Sequence, residues 1–247
     1  MSSPAAGWYP DPEDPTRWRW WDGAGWGIRY DPAAVPLRRQ HETARWLRIA
    51  VWAQPVVTIS GIATAYAIVD FMRDLDDDGG PVGTPLSPWT SLVSPLGMGL
   101  SICLILWIYR TVETGVALGR PARRGPGLAA ISLMIPIVNF WWPVQAVRDT
   151  LSGRPAARAA VLRWWIAHQV ASLGGLVAFV LPFIDRGFAA IVATLLVVIA
   201  IVAASLAQSM TATVEAAHRE IAHGGVAFGG AARDPSVDQS VRPPQRQ

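Results

Sequence analysis

The chain has 247 residues, 51% of them hydrophobic and only 16% charged, with a net charge of +3. A soluble domain carries about 25% charged residues, so a bilayer is expected to be part of the solvent. All 21 basic residues are Arg, and the single cysteine, Cys103, excludes an intrachain disulfide.

The N-terminal stretch is polar, Pro-rich and Trp-rich. No basic start followed by a short apolar core and a small-residue cleavage site is visible there, so the first hydrophobic run is expected to be a retained signal-anchor helix. Gly7-Trp8-Tyr9-Pro10-Asp11-Pro12 precedes Arg17-Trp18-Arg19-Trp20-Trp21-Asp22-Gly23-Ala24-Gly25-Trp26. Pro10 and Pro12 hold the backbone extended. Alternation of Arg and Trp from Arg17 to Trp20 is a period-2 strand signal, and Asp22-Gly23 is a hairpin-turn pair. Residues 1–35 are therefore predicted to be a two- or three-stranded sheet whose Trp residues form its only core, marginal in isolation at this size. The pattern resembles a short bacterial domain of unknown function (domain of unknown function 2510), found ahead of transmembrane segments in actinobacterial membrane proteins. The residues that carry the resemblance are Trp8, Tyr9, Pro10, Asp11, Pro12, Trp20, Trp21, Asp22, Gly23 and Trp26. The chain departs from the pattern at Gly27, where Thr is expected.

After a linker over 36–44, the membrane domain is placed at 45–222. Crossing a hydrocarbon core of roughly 30 Å takes about 20 apolar residues. Ile49 to Val69, Leu92 to Tyr109, Trp164 to Ile184 and Gly187 to Leu206 meet that requirement, the last two joined tightly at Asp185-Arg186. Arginines cluster before the first span (Arg38, Arg39, Arg45, Arg48), after the second (Arg110, Arg120, Arg123, Arg124) and before the third (Arg148, Arg154, Arg158, Arg163). The positive-inside rule then puts both termini in the cytoplasm, with four crossings. The acidic run Asp76-Asp77-Asp78-Gly79 lacks the ligand pattern of a Ca²⁺ loop and reads as an external loop.

Leu128 to Val147 is a fifth hydrophobic stretch, broken by Pro136 and Pro143. Its flanking arginines both belong inside, so it is predicted to enter and return on the cytoplasmic side as a re-entrant or interfacial broken helix. A kinked fifth crossing is the alternative. Pro136, Asn139, Trp141, Pro143, Gln145 and Arg148 resemble the Pro-x-x-Asn-x-Trp-x-Pro-x-Gln signature of a polytopic family of unknown function (domain of unknown function 4328), over roughly Ala44 to His218. Trp142 departs from that pattern, which has a polar or basic residue there. Neither resemblance implies an activity.

Trp46, Trp52, Trp89, Trp107, Trp141, Trp142, Trp164 and Trp165 fall near span ends or in the broken segment and read mostly as an aromatic belt. Gly97 with Ser101, Ala171 with Gly175 and Ala200 with Ala204 have helix-packing spacing. Gln54, His168 and Gln169 lie close to the cytoplasmic ends and read as hydrogen-bonding groups between helices rather than a proton relay. The absence of Asp or Glu at mid-depth argues against ion-coupled transport. Beyond the last span, Gln208 to Ala222 is predicted to continue as helix, with a Glu215–Arg219 pair. Gly224-Gly225 is predicted to stop it, with a disordered tail over 223–247. His218 and His223 are wrongly spaced for two ligands on one face, so no metal is expected.

No Gly-x-Ser-x-Gly, HExxH, phosphate loop or Cys cluster is present, and an enzyme is not expected. Nor is a cofactor or a nucleic-acid partner. The sequence therefore points to an all-α polytopic membrane protein whose partners are the lipid bilayer and, through the Trp-rich module, a cytoplasmic protein. The alternative is a small-molecule or ion conduit lined by the Pro136–Pro143 segment.

Overall fold

A computed structural model describes residues 6–14, 17–30, 34–78, 88–120 and 122–228. The N-terminal module is a three-stranded antiparallel sheet of β1 (Gly7–Pro10), β2 (Trp18–Trp21) and β3 (Trp26–Tyr30), in that order. Trp8 pairs with Trp20 across β1 and β2, and Trp21 with Trp26 across β2 and β3. The period-2 pattern thus places aromatic pairs on both faces. Trp8 meets Trp20 edge-on at 5.5 Å on one, while Tyr9 and Trp21 meet Trp26 at 6.4 and 5.2 Å on the other.

The β2–β3 turn is built by Asp22. Its Oδ1 accepts the N–H groups of Ala24 and Gly25, both at 2.7 Å, and Gly23 supplies the left-handed residue at φ 104°. The amide donors of Gly25 and then Ala24 hold the Asp22 carboxyl below its usual value of 3.8. A depressed native pKa means that the turn is stabilised above the unfolded pKa and loses that support as pH falls through the native one. In an acid titration of the solubilised chain, the Ala24 and Gly25 amide resonances should move with a midpoint below 3.8. A midpoint at or above that value contradicts the turn.

Among the described residues, seven α-helices follow: α1 (Ala34–Ala50), α2 (Ala53–Asp78), α3 (Pro88–Ala117), α4 (Pro126–Ile131), α5 (Trp142–Thr150), α6 (Pro155–Val180) and α7 (Arg186–Phe228). Among the same residues, four helical stretches are long and apolar enough to cross a membrane: Ala34–Leu75, Pro95–Ala117, Pro155–Phe183 and Arg186–Ala222. The fold is that of a multi-pass membrane protein with a bent helix pair and a small β module. Residues 36–44 are not a linker but part of α1. Gln40, Ala44, Leu47 and Val51 recur at helical spacing and are buried. Pro55 lacks the N–H that would reach Val51 O, which accepts Gln54 N–H at 3.1 Å instead, and the helix breaks at Val51-Trp52. At the other end, α7 does not stop at Gly224-Gly225 but runs to Phe228; the rest of the expected tail lies outside the described residues. Likewise, only Asp76–Asp78 of the acidic run is described, as the last turn of α2.

The buried core sits toward one end of the bundle, where α1, α3, α5, α6 and the C-terminal half of α7 converge. The opposite halves of α6 and α7 leave Leu176, Ile191 and Leu195 exposed for lipid, and Ile184 is exposed in the turn between them. At that far end, Tyr66 Oη donates to Arg186 O at 2.9 Å, and Arg186 grips Asp70 with both terminal nitrogens. Asp185 Oδ1 caps α7 by accepting Phe188 N–H at 2.8 Å.

The expected small-residue pairs split. Ala171, Ala200 and Ala204 are buried, but Gly97 and Gly175 lie in open contacts. The close approaches belong to Gly115, on which a Cβ would lie 2.2 Å from Thr150 Cβ, and Gly174, 2.1 Å from Leu196 Cδ2.

Candidate functional site: a re-entrant elbow

The segment from α4 to α5 folds back on itself. Its two halves, Pro126–Met134 and Val138–Thr150, are bent by 118° relative to one another. Both ends return to the same end of the bundle. Arg123 N–H donates to Asp149 Oδ2 at 3.3 Å, Arg124 Nη1 donates to Gln145 Oε1 at 3.0 Å, and the Arg124 guanidinium lies 4.3 Å from the Trp142 ring centre. The two ends of the segment meet, as the in-and-back path expected from the arginines requires. Trp142, the departure from the family pattern, serves as the platform for Arg124.

Each proline leaves a backbone acceptor to be satisfied. Pro136 cannot donate to Ser132 O, which takes Ile135 N–H at 3.3 Å in a tight turn. Pro143 cannot donate to Asn139 O, and Gln169 Nε2 of α6 supplies that hydrogen bond at 3.4 Å. Next to it, Trp165 Nε1 donates to Phe140 O at 2.8 Å. In an apolar surround each orphaned carbonyl would cost several kcal/mol, so α6 is the element that makes the break tolerable. Asn139 itself continues the turn through its N–H to Ile135 O at 2.9 Å, while its Oδ1 is buried without a partner. On the outer side, Met134 and Ile137 are 73% and 71% exposed, and Trp141 is exposed. The elbow therefore points its apolar side chains outward and its backbone polarity toward α6.

Behind the elbow lies an aromatic stack that sequence reasoning placed at the interface. Trp107, Trp164 and Trp165 are at most 3% exposed and belong to the core, not to an aromatic belt. Trp164 meets Trp107 at 6.1 Å, Trp165 at 5.7 Å and His168 at 5.4 Å in a parallel stack. His168 Nδ1 lies 3.0 Å from Gln54 Oε1, and Gln54 Nε2 donates to Ser172 Oγ at 3.4 Å. These groups bond between helices, as expected of them. Trp46 and Trp52 are exposed and match the belt; the Trp89 side chain lies outside the described residues.

A second polar cluster was missed. Glu215 is not a helix-surface partner of Arg219 alone: it is 6% exposed, and its two oxygens meet Arg48 Nη1 at 3.2 Å and His41 Nδ1 at 2.9 Å. One turn along α7, His218 is fully buried between Gln40 Oε1 at 2.9 Å and Thr150 Oγ1 at 3.3 Å. The readable signal was the polar residue at each register of α1 (Gln40, His41, Arg48) opposite Glu215 and His218. It meant nothing while residues 36–44 were taken for a linker.

The remaining elbow residues divide in the same way. Pro143 is buried, and Gln145 faces Arg124. Arg148 carries a buried Nε and lies in a cleft with Arg123 and Arg158. Among the described residues, no cluster of His, Cys, Asp or Glu has the arrangement of a metal site. In the N-terminal module, Asp11 is 1% exposed and Arg19 reaches it at 3.8 Å, which ties Pro10-Asp11-Pro12 to β2.

Residues 6–39 match the family model described as Protein of unknown function (DUF2510). No curated protein and no solved structure matches the chain. Residues 89–219, more than half of the chain, match the model described as Domain of unknown function (DUF4328) and include the whole elbow with its α6 and α7 supports, so the chain belongs to that family.

Proposed function

We propose that this protein is a membrane-anchored interaction or scaffold protein of the cytoplasmic membrane, with both termini on the cytoplasmic side and the Trp-rich sheet as its adaptor. One observation carries the reading: the sheet keeps aromatic side chains on both faces and encloses neither. Trp20 and Trp26 are 36% and 37% exposed, and Ile28 is exposed beside them. Exposed aromatics on a rigid, edge-bearing sheet are the material of protein interfaces. Arginine placement supports the orientation, because the basic segments flank the end at which the elbow enters. The direct capping of the elbow by Trp165 and Gln169 supports a packing role for it over a conduit. The one feature a conduit would use, Asn139 Oδ1, is enclosed.

Cross-linking in membranes from cells that express the full chain or a chain lacking residues 1–35 tests this function. Partners captured by the full chain should be lost on deletion and on Trp26→Ser. An unchanged set of partners overturns the reading.

A further inference from the structure

The α3–α4 connection, the last turn of α5 and the first turns of α6 meet at a cleft of about 370 Å³ lined by Ala122, Arg123, Arg148, Asp149, Ser152 and Arg158. Three guanidiniums share it with one carboxylate. Asp149 accepts the backbone N–H of Arg123, and among the described residues none of the three arginine side chains has a carboxylate within 4.0 Å. Nearby, Arg110 is paired with Glu113 at 2.8 Å and Arg154 with Glu220 at 3.5 Å. Arg148 Nε is buried with no hydrogen-bond partner at all. Arg148, half-buried with its Nε enclosed, and the exposed Arg123 and Arg158 set three positive charges around one cleft, which favours an anion there. The planar fork of Arg matches the paired oxygens of a phosphate.

The position of the cleft narrows the source of that phosphate. Three residues beyond Arg123, α4 begins; it presents Leu128 and Ile131 exposed, and Met134 is exposed in the 3-10 turn that follows toward the elbow. A basic cleft at the root of an apolar helix face that enters the bilayer is where a headgroup sits when its acyl chains follow that face. We infer that the cleft formed by Arg123, Arg148 and Arg158 holds the phosphate of an anionic phospholipid headgroup.

Fluorescent phosphatidylglycerol and fluorescent phosphatidylcholine titrated into the full chain in neutral detergent provide the test. The anionic lipid should bind more tightly. Each arginine near a headgroup is worth about a fivefold change in affinity, so R158Q should weaken it about fivefold and R148Q/R158Q about 25-fold. Arg158 is an exposed side chain, so R158Q keeps the test valid should the double variant not fold. R38Q, which removes an equal charge from an exposed pair with Glu42, should change nothing. Equal weakening by R38Q, or no weakening by R158Q, overturns the site. Saturable binding of inorganic phosphate with no preference between the two lipids assigns a free phosphate and overturns the lipid.

Discussion

Replacing Trp164 by Ala should lower the unfolding midpoint of the detergent-solubilised protein by roughly 10 °C. Trp164 is 2% exposed and is the hub at which Trp107, Trp165 and His168 meet. Truncating a buried Trp removes its contacts and leaves a cavity, at about 3–5 kcal/mol, and each kcal/mol shifts the midpoint of a chain this size by about 2–4 °C. The loss should also loosen the elbow, because Trp165 Nε1 holds Phe140 O from the adjacent position on α6. Trp52→Ala is the comparison: that ring is exposed and should cost under about 1 kcal/mol. Thermal unfolding followed by circular dichroism reads both. Equal shifts for the two variants would return Trp164 to the lipid interface.

Gly115→Ala should destabilise the fold by about 1–3 kcal/mol, although a helix interior ordinarily gains up to about 1 kcal/mol from that substitution. The steric term wins because the new Cβ would stand 2.2 Å from Thr150 Cβ and 2.3 Å from its Cγ2. Neither atom is the end of a flexible chain, so α5 has to move off α3. That shift would also pull Thr150 from His218 and unseat the last turn of the elbow. Gly97→Ala, whose nearest neighbour is Val57 Cγ2 at 3.9 Å, should be neutral or stabilising. Denaturant titration of both variants decides the matter. A double-mutant cycle with Thr150→Gly should show a favourable coupling on the order of 1 kcal/mol, since the two changes share one contact.

The two expectations rest on features of unequal visibility. Four spans, a sheet from alternating Arg and Trp, the Asp22 turn and a break at Pro136 and Pro143 were all legible, because hydropathy, period-2 spacing and proline chemistry act within a few residues. The meeting of the elbow's two ends was legible as well, since arginines on both its sides are expected on one side of a membrane. Elsewhere the local signals misled. Residues 36–44 looked like a linker because their apolar positions, such as Leu37 and Ala44, are few, and the polar Gln40 completes the face that Ala44 and Leu47 bury. Gly224-Gly225 looked like a stop, but a helix already 38 residues long when it reaches them is propagating rather than nucleating.

By itself, then, the sequence determined that the chain carries four helical stretches apolar enough to cross a bilayer and where it cannot stay helical. Only the tertiary structure decided which tryptophans are core, because burial depends on which helix lies alongside. The same holds for the orphaned carbonyl of Asn139 that Gln169 satisfies, for Glu215 meeting Arg48 and His41, and for Arg123, Arg148 and Arg158 sharing one cleft. Each joins residues far apart in the chain or on different elements, and no periodicity along one helix can state what another helix brings to it.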